Sequence, residues 1–63
     1  MIETDMQMLE TIVVTGSRHA YDIGVTTKDG RIAKICVHAN NREHAARVAT
    51  RRGYEVRDVT MVG

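Results

Sequence analysis

The chain has one cysteine, no proline, no tryptophan, no phenylalanine and two tyrosines in its 63 residues. Each shortage removes a class of explanation. With Cys36 alone no internal disulfide can form, and no C-x-x-C or H-x-x-H pair announces zinc. Tyr21 and Tyr54 give little of the stacking platform with which single-strand readers hold bases. No apolar run approaches the roughly 18 residues of a membrane-spanning helix. The opening MIETDMQMLE lacks a positive start and the apolar run of at least about seven residues that marks a secretory signal. The expected location is therefore the cytoplasm, which also suits a lone thiol.

A chain this short is one domain at most, with no internal repeat or low-complexity tract. Such a domain buries only roughly 60% of the surface its unfolded chain exposes. Small scaffolds usually add a staple, and with disulfide and zinc removed, oligomerisation is the common one left. A homo-oligomer, most simply a dimer, is expected. The net charge of +1 predicts no partner, but its distribution is uneven. Residues 1–10 carry Glu3, Asp5 and Glu10 and no base, so −3, which leaves +4 on the other 53. Residues 1–8 read as a flexible acidic N-terminal tail, and residues 9–63 as a single small α+β domain.

Thr11 to Thr15 is rich in β-branched residues and predicts a first strand, with a turn over Gly16 to His19. Tyr21 to Thr27 alternates: Tyr21, Ile23 and Val25 share one face, Asp22, Gly24 and Thr26 the other. Arg31 to Ala39 does the same, with Ala33, Ile35 and Val37 opposite Ile32, Lys34, Cys36 and His38. Parity decides the turn between them. A two-residue loop at Asp29-Gly30 would set the apolar row of one strand beside the polar row of the next. A three-residue loop, Lys28-Asp29-Gly30, instead pairs Thr27 with Arg31, Val25 with Ala33, Ile23 with Ile35 and Tyr21 with Val37. It also places glycine where the chain must turn left-handed.

Asn40 can cap a helix, with Glu43 completing a capping-box pattern, and Gly53 can end it. Ala45, Val48 and Ala49 form the buried stripe of that helix, and their small size predicts a close approach to the sheet. Tyr54 to Val62 reads as the last strand. Its alternation breaks, because Tyr54 and Val56 share one parity and Val59 and Met61 the other. A bulge at Arg57-Asp58 restores the pattern; alternatively both faces are covered. The order is β-β-β-α-β, an α+β domain with a four-stranded, mainly antiparallel sheet and one helix packed on one face. The helix reverses the chain, so the last strand should run parallel to the third and first strands, beside one of them. The expected core is Ile12 or Val13, Val14, Tyr21, Ile23, Val25, Ala33, Ile35, Val37, Ala45, Val48, Ala49 and Val56.

Several stretches invite a chemical reading. VVTGSR resembles the glycine turn of short-chain dehydrogenases, but Ala20 and Asp22 occupy the later glycine positions and a strand follows where a phosphate site needs a helix N-terminus. LETIVVTGSR also looks like the first strand of the plug of TonB-dependent receptors; no functional residue carries over. Cys36 and His38 share a strand face, Asp22 sits across from Cys36, and His19 could approach as a fourth metal ligand. Lys34, on the same face, could weakly activate the thiol. One Cys-x-His pair is a common accident, and no cofactor, metal or catalytic residue is expected. Asp29 is explained by its turn and Glu43 by its cap, and a domain with one helix on one sheet has little room for a water-excluding cleft.

The helix is basic, with four arginines against Glu43 between Asn41 and Arg52. Arg42, His44, Arg47 and Arg51 are the candidate contacts to nucleic acid, with Arg52 snorkelling along the apolar edge. A Glu43–Arg47 pair would partly neutralise this face. The other candidate surface is the sheet face away from the helix, where Ile32, Cys36, His38 and Met61 are apolar enough to be hidden by a partner.

Residues 37–63, VHANNREHAARVATRRGYEVRDVTMVG, resemble a pattern in small uncharacterised bacterial and phage-type proteins: a strand ending in alanine, a helix with AA and A on its buried side, and GY-x-V opening a closing strand. A comparable module resembles the start of the inner-membrane platform protein of type II secretion, whose helical bundle is absent here. These are packing and turn residues, so the resemblance implies a fold and no catalytic site. The expected role is a non-enzymatic module that self-associates through a sheet face or edge. The alternative is a nucleic-acid-binding module using helix 41–52. No membrane or small-molecule partner is expected.

Overall fold

The computed structural model describes residues 7–63. Its elements are β1 (Met8–Val13), β2 (His19–Thr26), β3 (Ile32–Ala39), α1 (Arg42–Arg51) and β4 (Glu55–Met61). They form an α+β fold whose mixed sheet has the order β1-β3-β2-β4. β2 is antiparallel to β3 and β4, and β1 is parallel to β3. Of the tail expected over residues 1–8, residues 1–6 lie outside the described residues, and Met8 already opens β1. The first strand thus starts at Met8 rather than Thr11 and ends at Val13 rather than Thr15. An irregularity between Met8 and Thr11 lets the earlier residues join the pairing.

The β2–β3 hairpin has the register that parity predicts: Val25 faces Ala33, Ile23 faces Ile35 and Tyr21 faces Val37. Thr27 and Arg31 close the loop, with the Thr27 N–H on the Arg31 carbonyl at 2.8 Å and the Gly30 N–H on the Thr27 carbonyl at 3.0 Å. Gly30 has φ +87°, a conformation that side chains with a Cβ rarely adopt. The helix ends on the same device. Gly53, at φ +95°, sends its N–H to the Thr50 carbonyl at 3.0 Å, and the Tyr54 N–H reaches the Ala49 carbonyl at 3.3 Å, which is a Schellman motif.

Two expectations are corrected. The last strand does run in the direction of β1 and β3, but it lies beside β2. β1 occupies the outer side of β3, so the free side left for the returning chain is that of β2. Residues 14–18 carry the chain past the end of β3 to β2, and there the Arg18 N–H donates to Asn40 Oδ1 at 3.1 Å. Asn40 is therefore a strap for that crossing and is not the helix cap. The cap is Asn41, whose Oδ1 accepts the His44 N–H at 2.8 Å. This shift puts His44, not Glu43, three residues after the cap, so no capping box forms; Glu43 keeps a favourable place in the first turn.

The core lies between the helix and one sheet face. Tyr21, Ile23 and Val25 from β2, Ala33, Ile35, Val37 and Ala39 from β3, and Ala45 and Ala49 from α1 are buried. Ile12, Val48, Tyr54, Val56 and Val59 pack at its margin. Val13 is 68% exposed, so Ile12 is the residue of β1 that faces inward. Val14 lies half-buried outside this cluster. Of the two readings of the broken alternation in the last strand, the bulge is the one present: Gly24 faces Asp58 while Val25 faces Val56, leaving Arg57 as the extra residue. It brings Val56 and Val59 onto the same side.

Ala45 and Ala49 have no exposed surface, so the helix backbone rests close on β3 and β4. Ala49→Leu should overpack this contact and lower the unfolding free energy by about 1–3 kcal/mol, read from urea denaturation. A neutral result would show that the helix can lift from the sheet without cost.

Candidate functional site

Cross-strand neighbours share a face, so the register defines the side of the sheet that the helix leaves open. Three rows run across it. Thr11, Cys36, Asp22 and Thr60 form one; Val13, His38 and Ala20 another; Met8, Lys34, Gly24 and Asp58 a third. Ile32 sits beyond them opposite Thr26. Lys34 Nζ and Asp22 Oδ2 are 4.0 Å apart, so the middle of the face carries both signs of charge. Among the large apolar side chains on it, Met8 is 42%, Ile32 55% and Val13 68% exposed.

Ile32, Cys36 and His38 thus lie on the surface proposed for them from the sequence. Met61 does not. It faces Tyr21, a core residue, on the helix side. The bulge at Arg57 is the reason, since it turns every later residue of β4 over. Met61 instead borders a shallow groove of about 240 Å³ with Tyr21, Arg42 and Val59.

The structure does not bring the conceivable ligand set together around Cys36. Asp22 does sit across from Cys36, but no group of three or more His, Cys, Asp or Glu among the described residues is arranged to hold an ion. His19 stands on the other face, edge-on to Tyr21 with ring centroids 6.4 Å apart. Nor does Lys34 activate the thiol. Burial first, and the Asp22 carboxylate second, push the Cys36 thiol above its ordinary range. The other shifts have structural causes too. A hydrogen bond from the Thr27 hydroxyl chiefly lowers Asp29 inside the hairpin loop. The hydrogen bond to Glu10 chiefly raises Tyr54.

The arginines do not form one surface. At about 100° per residue, Arg42 and Arg51 lie about 180° apart around the helix. Arg42 Nη2 donates to the Val59 carbonyl at 3.1 Å, which binds it to β4. Arg47 and Arg51 are exposed, with a half-buried His44 on their side. Glu43 forms no ion pair with Arg47. Arg52 leaves the group as well, pairing with Glu10 Oε1 at 3.5 Å. That contact is one the sequence reading misses. Glu10 accepts the Tyr54 hydroxyl at 2.5 Å while holding Arg52, so β1 is tied to the end of the helix. The residues are 44 positions apart, and no local pattern signals the pair.

The chain matches no protein-family model, no curated protein and no solved structure. No helix among the described residues is long and apolar enough to cross a membrane.

The two causes acting on Cys36 predict a slow thiol. Asp22→Asn removes the carboxylate, lowers the thiol pKa and increases the thiolate fraction below that pKa. Alkylation by iodoacetamide at about pH 8 should therefore be faster in Asp22→Asn than in the parent chain. An unchanged rate would remove Asp22 as a cause.

Proposed function

We propose that this chain is a small non-enzymatic interaction module that self-associates through a sheet face or edge that the helix leaves uncovered. One observation carries the reading. The single helix packs on one face, and on the other side and along β1 the side chains of Met8, Leu9, Val13 and Ile32 remain 40–68% exposed. The partner that suits this surface is a second copy. The face carries Lys34 as well as Asp22 and Asp58, so a second copy can set opposite charges against each other. A short chain with one thiol and no other staple also gains most from a partner. The cytoplasm is the compartment that keeps this thiol free.

A second reading, nucleic-acid binding, draws on Arg47 and Arg51, which are exposed and unpaired among the described residues. It is the narrower of the two. Arg42 and Arg52 are engaged elsewhere, Tyr21 is buried, and the Tyr54 hydroxyl is held by Glu10.

Sedimentation equilibrium from about 1 μM to about 1 mM should show a reversible monomer–dimer equilibrium. A monomer throughout that range removes the self-association reading. For the second reading, labelled DNA and RNA are titrated at two salt concentrations. Salt-sensitive binding that weakens in the Arg47→Ala/Arg51→Ala double variant supports it; binding indifferent to salt or to the arginines removes it.

A further inference from the structure

The two edges of the sheet are unlike. Along β4 the edge is interrupted by the bulge at Arg57 and carries Glu55, Arg57 and Asp58, with Met61 60% exposed only at its far end. The Val62 N–H donates to the Ala20 carbonyl at 2.8 Å. Counting back by alternate residues from that bond, Val59 turns its carbonyl away from β2, toward the free edge. Arg42 covers that carbonyl at 3.1 Å. Bulges and charges of this kind are how sheet edges are closed to further strands.

β1 has few such guards. Its one charged side chain, Glu10, is engaged by Tyr54 and Arg52. The Val14 N–H donates to the His38 carbonyl at 3.0 Å, so Val14 and Ile12 turn their backbone groups toward β3. Thr11 and Val13 then turn theirs outward. Around them Met8, Leu9 and Val13 are 42%, 40% and 68% exposed.

Resting on the self-association reading above, we infer that the interface is the β1 edge, where two copies pair β1 with β1 antiparallel about a two-fold axis to make one continuous eight-stranded sheet. The occupant is a second copy joined through the same edge, for two reasons. Addition of β1 to the β4 edge of another copy would build an open-ended array, and the bulge, the charged residues and Arg42 on the Val59 carbonyl obstruct that edge. Pairing of β1 with itself ends the growth and buries both open edges. Centred on Ile12, it sets Thr11 opposite Val13 of the second copy, and the outward N–H and C=O groups of these residues bond to one another. In that register Glu10 faces Val14 of the second copy, so no carboxylates meet.

Amide hydrogen exchange on the unmodified chain tests this directly. The Thr11 and Val13 amides should gain roughly tenfold or more protection as concentration rises through the dimer transition, while the outward amides of Val59 and Met61 stay unchanged. Val13→Lys, at an exposed position, should weaken the dimer roughly tenfold or more with circular dichroism unaltered, and Ile32→Lys on the open face should leave it intact. A dimer that forms without protecting Thr11 and Val13, or that Ile32→Lys breaks and Val13→Lys does not, overturns the edge and leaves self-association standing. Protection at these two amides that is independent of concentration assigns the edge to a segment of the same chain and also overturns the proposal. A monomer at every concentration removes both readings.

Discussion

The loop Lys28–Gly30 sets Val25 against Ala33, Ile23 against Ile35 and Tyr21 against Val37, and the rest of the molecule is arranged around those pairs. A slip of one residue there would turn one strand over and place polar side chains under the helix. The left-handed Gly30 holds the loop to three residues. Once the hairpin is set, its apolar face is a row of buried side chains, none more than 5% exposed, and the small residues of α1 fit onto it. Its other face inherits Asp22, Lys34, Cys36 and His38. The candidate interaction surface is thus a by-product of the same register that makes the core.

The bulge in β4 has a similar reach. It rescues a strand whose apolar residues change parity halfway, bringing Val56, Val59 and Met61 to one side. It also interrupts the edge that β4 presents to solvent. Arg42, placed on the sheet side of the helix start, then covers the Val59 carbonyl. The structural role of this arginine and its absence from the exposed basic surface are one fact. Among the described residues, the sheet is left with an obstructed edge at β4 and a less guarded one at β1.

Local patterns in the sequence account for the elements, the hairpin register, the break in β4 where the bulge falls and the glycine that ends the helix. Each depends on parity or on a conformation that few residues adopt, and both can be read within a window of a few residues. Strand order could not be read this way. Whether β1 lies beside β2 or β3 depends on how residues 14–18 pass the end of β3, and the Arg18–Asn40 bond that fixes this joins positions 22 apart. The same bond explains why Asn41 rather than Asn40 caps the helix: both asparagines suit the role, and only tertiary structure assigns one elsewhere. Met61 was misplaced because two accounts of the broken alternation were open, and only the bulge turns it inward. The Glu10–Tyr54–Arg52 cluster joins positions 44 apart and leaves no local trace.

The size of the open edge bears on the strength of any association through it. Pairing Thr11 and Val13 with their counterparts forms four backbone hydrogen bonds, each worth about 0.5–1.5 kcal/mol net. Losing the freedom of two separate bodies costs an estimated 4–15 kcal/mol or more. Hydrogen bonds alone therefore do not hold a dimer, and the balance falls to apolar side chains along β1. Burying Leu9 and the exposed part of Val13 from each copy contributes on the scale of about 25 cal/mol per Å² removed from water. A short edge with few such side chains supports a reversible dimer better than an obligate one. The monomer must then be stable enough to exist unpaired, and its closely packed core, capped helix ends and Glu10 clamp are the features that favour this.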